Sequence, residues 1–264
     1  MKITVFTSNQ PRHFRLIDKL CSVADHVYAI QECTTLFPGK RADYYPRTPV
    51  MEEYFSHVLA AEQKVFGGIS FPPDNCTQLP LFLGDLNHLP LQTFGPALDS
   101  DYFVVFGASF IKGPLVDVMI AKKAVNIHMG ASPYYRGSSC NFWAIRDGKA
   151  DYVSGTIHMI TKGLDSGPIL YHALPKPQSI APFELGMRSV AVAQDSVCHH
   201  IKAGTLYSTE PVTQDRSREI RYTKNVDFDD TVAQAYLESM PTEEQIQSIL
   251  ERRDLGAFVR PYLG

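Results

Sequence analysis

Two polar side chains, Asn126 and His128, fall on one face of a short predicted strand. The apolar run 124–128 predicts the strand, and alternation along it sends the residues between these two to the opposite face. An amide and an imidazole therefore point the same way. The stretch 130–137, with its glycines and proline, predicts a tight loop at the carboxyl end of the strand. Open α/β sheets usually keep their ligand crevice at that end.

A carboxylate, Asp165, lies in the loop 161–168 that leaves a strand ending near Ile160, and this loop can fold back over His128. Together with Asn126 the three groups suit acyl transfer without a nucleophilic serine or cysteine. The imidazole moves protons, the carboxylate orients it and stabilises its cation, and the amide donates to a developing oxyanion. Taken alone, these residues leave open a plainer interpretation, a polar strand end and a surface turn.

Strand and helix patterns alternate around these residues. Strands are predicted at 3–6, 26–30, 102–106, 124–128 and 153–159, and helices around 14–21, 49–66, 114–122, 140–146 and 182–204. The run 102–106 is apolar throughout, as expected for a strand buried on both faces of a parallel sheet. The stretch 71–96 shows no clear period, so irregular structure with one short element at most is expected there.

This alternation predicts the α/β class, with an open, doubly wound, mostly parallel sheet. The catalytic body is expected over 1–209. A small carboxy-terminal α+β extension is expected over 210–264, with a hairpin or strand near 220–228 and a helix at 242–252.

Composition narrows the function classes. With 264 residues, 44% hydrophobic and 20% charged, the chain can bury a large core, and its net charge of −3 gives no positive field to hold a nucleic acid. Five cysteines without a CxxC pair argue against a disulfide framework and a structural zinc site, so reduced thiols in a cytoplasmic protein are expected. No signal peptide, membrane span or metal is expected.

The order and spacing of the motifs resemble those of the folate-dependent formyltransferases over roughly 102–204. The matching residues are Asn126-Ile127-His128, Ser132-Pro133, Gly137, Thr156-Ile157-His158 and Asp165-Ser166-Gly167-Pro168-Ile169. The family includes glycinamide ribonucleotide, methionyl-tRNA and nucleotide-sugar formyltransferases, and its core is Rossmann-like. Its usual His-x-Ser-Leu-Leu-Pro is altered here, because Gly130 takes the place of the serine.

The resemblance implies roles for the three polar residues and a site for 10-formyltetrahydrofolate, with tetrahydrofolate as product. His128 would accept the proton of an attacking amine, Asp165 would support it, and Asn126 would stabilise the tetrahedral oxyanion. The pterin would lie between 106–111 and 161–164. The residues implied at the folate site are Phe106, Gly107, Ala108, Ile111, Thr161, Lys162, Gly163 and Leu164, with His158 as a nearby partner or a structural histidine.

The charge of the carboxy-terminal tail and the loop after the first strand limit the class of acceptor substrate. The tail 211–264 has seven basic and ten acidic residues, which disfavours tRNA, and the first strand is followed by residues 7–11 (TSNQP) rather than a glycine-rich phosphate loop. The chain is most similar to the subgroup acting on nucleotide-linked amino sugars, whose small carboxy-terminal extension often mediates dimerisation. The expected acceptor is a GDP- or dTDP-linked 4-amino-4,6-dideoxyhexose such as GDP-perosamine, used for surface polysaccharide (O-antigen of lipopolysaccharide), and a homodimer is expected.

Acceptor contacts are expected at the start of the first helix, where backbone amides and the helix dipole favour a diphosphate. The candidates there are Ser8, Asn9 and Arg12, for which an ordinary helix cap is the alternative. Further candidates are Arg136 and Tyr222, then Arg41, Arg47 and Lys224, whose alternatives are packing or solvated surface charge.

Three other functions compete with this hypothesis. Water in place of the amine would give a 10-formyltetrahydrofolate hydrolase, and a formyltransferase acting on another small amine would use the same residues. A non-catalytic α/β binding module is disfavoured by the intact set of Asn126, His128 and Asp165. Turnover of the formyl donor without an amine would distinguish the hydrolase.

Overall fold

A computed structural model describes residues 1–33 and 47–264, and Arg41 lies outside the described residues. The strands are β1 (Lys2–Thr7), β2 (His26–Cys33), β3 (Cys76–Phe82), β4 (Tyr102–Val105), β5 (Val125–His128), β6 (Tyr135–Gly137), β7 (Gly155–Met159), β8 (Ile169–Leu174), β9 (Arg221–Thr223) and β10 (Tyr262–Leu263). The helices are α1 (Pro11–Cys21), α2 (Pro49–Phe66), α3 (Gly113–Ala121), α4 (Cys140–Arg146), α5 (Pro182–Lys202), α6 (Asp230–Glu238) and α7 (Glu243–Glu251).

Eight strands form one sheet in the order β10-β8-β7-β5-β4-β1-β2-β3. The five from β3 to β5 run parallel, β7 is antiparallel to β5, and β8 is antiparallel to β7. Strand order reverses at β1, because β2 and β4 lie on either side of it. This is the switch point at which open α/β sheets form their crevice, and β5 lies on the far side of β4 from it.

Alternating apolar residues bury both faces of the central strands. On β1, Ile3 and Val5 join the cluster under α1 and α5, whereas Phe6 joins the cluster that contains residues of α3. On β4, Val104 and Phe103 divide between the same two clusters. Burial of apolar surface on both sides fixes the register of these strands. The result is a three-layer α/β body, which confirms the predicted fold class.

The stretch 71–96 contains an edge strand that the hydrophobic pattern did not reveal. Along β3 the partly buried Leu79 and Leu81 alternate with exposed neighbours, and Pro80 stands between them. Proline has no N–H to donate, so it is tolerated at the edge of a sheet. Two stretches of 3-10 helix, Asp85–Asn87 and Leu91–Asp99, follow.

The tail packs on the body at several places. The strand predicted near 220–228 is β9, but it pairs in parallel with β6 rather than forming a hairpin. The predicted last helix is α7, whereas α6 was not predicted. Phe258, Tyr236 and Ile246 are buried in the cluster shared with α2 and α4, and β10 extends the main sheet beside β8. No helix among residues 1–33 and 47–264 is both long and apolar enough to cross a bilayer.

Candidate active site

The predicted imidazole, amide and carboxylate lie together at the carboxyl end of β5. Nδ1 of His128 is 3.4 Å from Oδ2 of Asp165, and Nδ2 of Asn126 donates to Oδ1 of Asp165 at 3.0 Å. Asn126 and His128 share a face of the strand, and the loop after β7 carries Asp165 back over them. The carboxylate therefore touches both the group that would take a proton and the group that would stabilise an oxyanion.

His158, on the neighbouring β7, completes the arrangement. Its Nδ1 lies 2.9 Å from the carbonyl oxygen of Met159, which can only accept, so Nδ1 carries a hydrogen. In the neutral ring Nε2 is then an acceptor, and Nδ2 of Asn126 lies 3.0 Å from it. Both amide hydrogens of Asn126 are thus engaged, one by His158 and one by Asp165. This pattern fixes which way the amide faces.

Burial and charge set the protonation states of the pair. Burial lowers the pKa of His128, and although Asp165 opposes this, His158 and Arg136 add to the lowering. The imidazole is therefore neutral near pH 7. For Asp165 burial alone would raise the pKa, but His128 and His158 outweigh it and lower the pKa to about 2. The resting site holds an ionised carboxylate beside a neutral base, the combination that general base catalysis requires.

Cys140 of α4 covers the other side of the imidazole, a contact without a sequence motif to indicate it. Its Sγ is 3.6 Å from Nε2 of His128 and 3.3 Å from the carbonyl oxygen of Gly137, to which the thiol donates. Burial raises the pKa of this thiol, so it stays protonated and is a poor nucleophile. The free lone pair of Nε2 remains available to a substrate.

Cys140 also explains the glycine that interrupts the formyltransferase motif. A Cβ on Gly130 would collide with Cβ of Cys140 and lie 3.1 Å from Nε2 of His128. A serine at position 130 therefore has no room while a cysteine occupies position 140. Gly130 therefore leaves room for the Cys140 side chain beside the imidazole.

One cavity of about 680 Å³ opens onto these residues, a size typical of small-molecule sites. Its lining residues form two groups by element, which we call wings. One wing consists of residues that follow β4 and β7, and the other of residues on α2, α4, α5 and in the tail. His128 also lines the cavity, with Nδ1 facing Asp165 and Nε2 facing Cys140 of α4.

The residues implied for folate mostly line the first wing. Phe106, Gly107, Ala108, Ile111, Thr161, Gly163, Leu164 and His158 are all at its walls. Lys162 is not among the lining residues, and its Nζ instead pairs with Asp117 at 2.9 Å on the surface. Phe110 and Leu83 add apolar surface at this wing.

A buried carboxylate that sequence reasoning missed, Glu32, ties this wing together. It accepts hydrogen bonds from the backbone N–H groups of Gly84 and Ser109, each at 2.6 Å, and from the Ser109 hydroxyl at 2.9 Å. Its side chain is fully buried. A glutamate at the end of an apolar strand carries no motif, and only the folded chain shows that it joins loops after β3 and β4.

Some of the predicted acceptor residues line the cavity and others do not. Ser8 and Arg12 line the cavity, but the Ser8 hydroxyl donates to the Glu32 carbonyl at 2.8 Å and Arg12 pairs with Glu62 at 2.7 Å. Asn9, Arg136 and Tyr222 are not among the lining residues. Arg136 pairs with Glu219 at 2.6 Å and its guanidinium lies 5.6 Å from the centre of the Tyr222 ring. The described residues contain no group of three or more side chains arranged to hold a metal ion.

The family comparison matches the central segment. Residues 91–176 match the family model described as formyl transferase. The methionyl-tRNA formyltransferase of Synechococcus sp. (strain JA-3-3Ab) is 33% identical over 129 residues, which are 46% of this chain and 38% of that protein. The chain thus aligns with well under half the length of this curated relative.

Solved formyltransferases share the fold over nearly the whole chain. A 4-N formyltransferase from Francisella tularensis superposes with a TM-score of 0.52 at 15% identity, covering 98% of this chain and 96% of that one. The N-formyltransferase from Helicobacter canadensis, in complex with folinic acid and dTDP-3-aminofucose, gives a TM-score of 0.50 at 13% identity, over 87% of this chain and 72% of that one. At such identities the likeness is one of fold. The resemblance that the motifs indicated is borne out by the family match over residues 91–176.

Proposed function

Because residues 91–176 match the formyl transferase family, we propose that the chain transfers the formyl group of 10-formyltetrahydrofolate to the amine of a nucleotide-linked amino sugar. The observation that supports it most directly is the meeting of Asn126, His128 and Asp165 at a cavity with two wings. One wing suits the donor and the other the acceptor, and His128 lines the same cavity.

The donor wing fits a flat, partly apolar ring edged by hydrogen-bonding groups. Phe106, Ile111 and Leu164 supply apolar walls, while the loops after β4 and β7 offer main-chain groups. The buried Glu32 accepts a hydrogen bond from the Ser109 N–H and so holds the backbone of this loop in place. The bound folate supplies an activated formyl group, and the chain contributes the pocket that orients it toward His128.

Proton transfer is assigned to Nε2 of His128. Because Asp165 lies at Nδ1, that nitrogen carries the hydrogen and Nε2 keeps a lone pair facing the α4 side. As the acceptor nitrogen bonds to the formyl carbon and the carbon–N10 bond breaks, Nε2 takes the amine proton and can return it to N10 of the leaving folate. Asp165 stabilises the imidazolium that exists in between.

Asn126 would stabilise the negative charge that develops on the formyl oxygen. Its amide hydrogens both have partners in the resting site, so it donates to the oxygen by exchanging one of them. The bond to Asp165 is the one that the reaction weakens, since the carboxylate is drawn to His128 once the imidazole is charged. Proton transfer and oxyanion stabilisation are coupled in this way.

The acceptor wing is suited to a ring with an apolar face. Aromatic rings of Tyr54, Phe142 and Phe183 line it, with Phe142 and Phe183 5.8 and 5.2 Å from the Tyr54 ring centre. A deoxygenated hexose ring stacks on such surfaces with little desolvation of hydroxyl groups. Arg12, which lines this cavity, is held by the buried Glu62, so the diphosphate of the acceptor would lie outside this wing.

The finer identity of the acceptor is proposed from the resemblance to the nucleotide-sugar subgroup. We favour a GDP- or dTDP-linked 4-amino-4,6-dideoxyhexose such as GDP-perosamine, destined for a surface polysaccharide such as O-antigen. Reduced cysteines favour a cytoplasmic site of action, and the carboxy-terminal extension is proposed to mediate a homodimer.

A screen by mass spectrometry tests this proposal. The protein is incubated with 10-formyltetrahydrofolate and a panel of nucleotide-linked amino sugars, with glycinamide ribonucleotide as a phosphate-bearing competitor and His128→Ala as the inactive control. We expect one or more amino sugars to gain a formyl unit, and the His128→Ala variant to lose about 10²-fold or more in turnover. Formylation of glycinamide ribonucleotide alone, or rapid release of formate without any amine, would contradict the proposal.

A further inference from the structure

The tail of the chain returns to the loop that carries Asp165. Val212 and Ile169 exchange two main-chain hydrogen bonds, N–H to O at 2.7 Å from Ile169 and 2.8 Å from Val212, and form an isolated antiparallel bridge. Ile169 is the first residue of β8, directly after the loop. The tail therefore fixes the point at which the catalytic loop ends.

Two residues further on, Gln214 holds the loop itself. Its Nε2 donates to the carbonyl oxygen of Asp165 at 2.9 Å and to that of Gly167 at 2.8 Å. Both amide hydrogens are used, and both on backbone carbonyls of the catalytic loop. Asp165 has φ of +45°, in the left-handed region that residues with a side chain enter only at a cost. Such a conformation persists where neighbouring groups hold it.

The same tail segment also braces the opposite side of His128. Thr223 of β9 accepts from the Ser138 N–H at 2.9 Å and donates through its hydroxyl to the Ser138 carbonyl at 2.7 Å. Gly137, just before, lies against the Thr223 carbonyl with no room for a Cβ, and its own carbonyl accepts from Cys140. The tail thus supports the segments on both sides of the imidazole.

We propose that Gln214 is a positioning residue that acts through Asp165, holding the catalytic loop in the backbone conformation that turns its carboxylate toward His128. Its effect on turnover rests on the proposed function, but its effect on the carboxylate does not. The tail that supplies Gln214 is then part of the machinery of the site.

A double-mutant cycle on turnover tests this role. Gln214→Ala should lower kcat about tenfold, because two hydrogen bonds to the loop are lost, and should change the KM of the formyl donor less than about twofold. Gln214→Glu, of equal size, should lose more, since its carboxylate faces two carbonyl oxygens. In the Asp165→Ala background, Gln214→Ala should have almost no further effect. The matched control is Gln247→Ala, whose amide donates to Glu251 on the surface of α7.

A second measurement needs no substrate. The groups facing the Asp165 carboxylate are Asn126 and His128 of β5, His158 of β7 and Arg136 of β6. Burial alone would raise the pKa of this carboxyl, and the charges of His128, His158 and Arg136 lower it to about 2. When Gln214→Ala releases the loop, that pKa should rise toward its ordinary value of about 4. Carbon-13 NMR of the labelled carboxyl between about pH 4 and pH 7 would show protonation beginning near pH 5 in the variant only.

Clear outcomes overturn the inference. A Gln214→Ala variant with kcat within twofold of the wild type and an unchanged Asp165 titration would do so, and so would full additivity with Asp165→Ala. If the wild-type chain formylates no amine, the proposed function fails, while the carboxyl titration still decides whether Gln214 positions Asp165.

Discussion

Replacing Asp165 by asparagine removes a charge while keeping the shape of the side chain. The new amide can still accept from Asn126 through its Oδ1, so the loop keeps one of its contacts. What is lost is the stabilisation of a cationic imidazole 3.4 Å away. The substitution therefore probes the electrostatic contribution of the carboxylate to proton transfer, with little change in packing.

The magnitude follows from the titration of Asp165. Burial alone would raise the pKa of this carboxyl, but its charged neighbours lower it to about 2 from an ordinary 3.8, which corresponds to roughly 2 kcal/mol. The side chain is 21% exposed, so solvent screens the interaction only in part. If that stabilisation is present in the transition state, Asp165→Asn should lower kcat/KM by about 10²-fold.

The pH dependence of kcat/KM tests the same reasoning, because the direction of its shift in Asp165→Asn can be predicted. The wild-type base works when neutral, so kcat/KM should rise with pH through the pKa of His128, which burial places below 6.5. Asp165 is the neighbour that raises that pKa, so its loss should shift the acidic limb of the profile to lower pH. Steady-state rates measured against pH for both proteins, with thermal unfolding as the folding control, test this. Activity of Asp165→Asn within a few-fold of wild type, with an unshifted limb, would refute the reasoning.

Three further substitutions probe the rest of the site. Asn126→Ala should lower kcat about 10²- to 10³-fold with little change in KM, as for loss of an oxyanion donor; an effect confined to KM would contradict that role. Gly130→Ser should impair turnover because the serine Cβ would collide with Cys140. The double variant with Cys140→Gly should recover much of the rate. If it does not, a steric clash between the two side chains is not the cause. Glu32→Gln should raise the KM of the formyl donor about tenfold by weakening charge-assisted bonds to the loop backbone, and an unchanged donor KM in initial-rate assays would remove Glu32 from the donor site.

The fold was predictable where hydrophobic period and turn residues agree. The continuous run of β4 and the alternation of β7 both mark strands, and Pro182 marks the start of α5. The edge strand β3 was missed because Pro80 breaks its pattern and only one of its faces is partly buried. The parallel pairing of β9 with β6 joins residues 221–223 to 135–137, and no local pattern encodes a contact between segments so far apart in the chain.

Some residues of the candidate site were predicted from the sequence, and others became apparent only in the folded chain. Asn126, His128 and Asp165 were found because their spacing matches a known motif and because strand alternation places two of them on one face. Glu32, Cys140 and Gln214 were not, since each acts through contacts between distant segments. Their types are common in sequences, and their roles depend on which backbone groups the fold brings within reach.

The close packing of Gly130 against Cys140 shows what the altered position of the family's motif does in this chain. Whatever residue stands at position 130, its Cβ would lie within van der Waals distance of Nε2 of His128, so this position and position 140 share one space beside the base. In this chain the space is filled from α4 by a protonated thiol bonded to the Gly137 carbonyl. A serine at position 130 would place a hydroxyl in this space, where it could hydrogen-bond to Nε2 directly. With glycine at position 130, the group beside Nε2 is the Cys140 thiol, 3.6 Å away, instead of a hydroxyl from the loop.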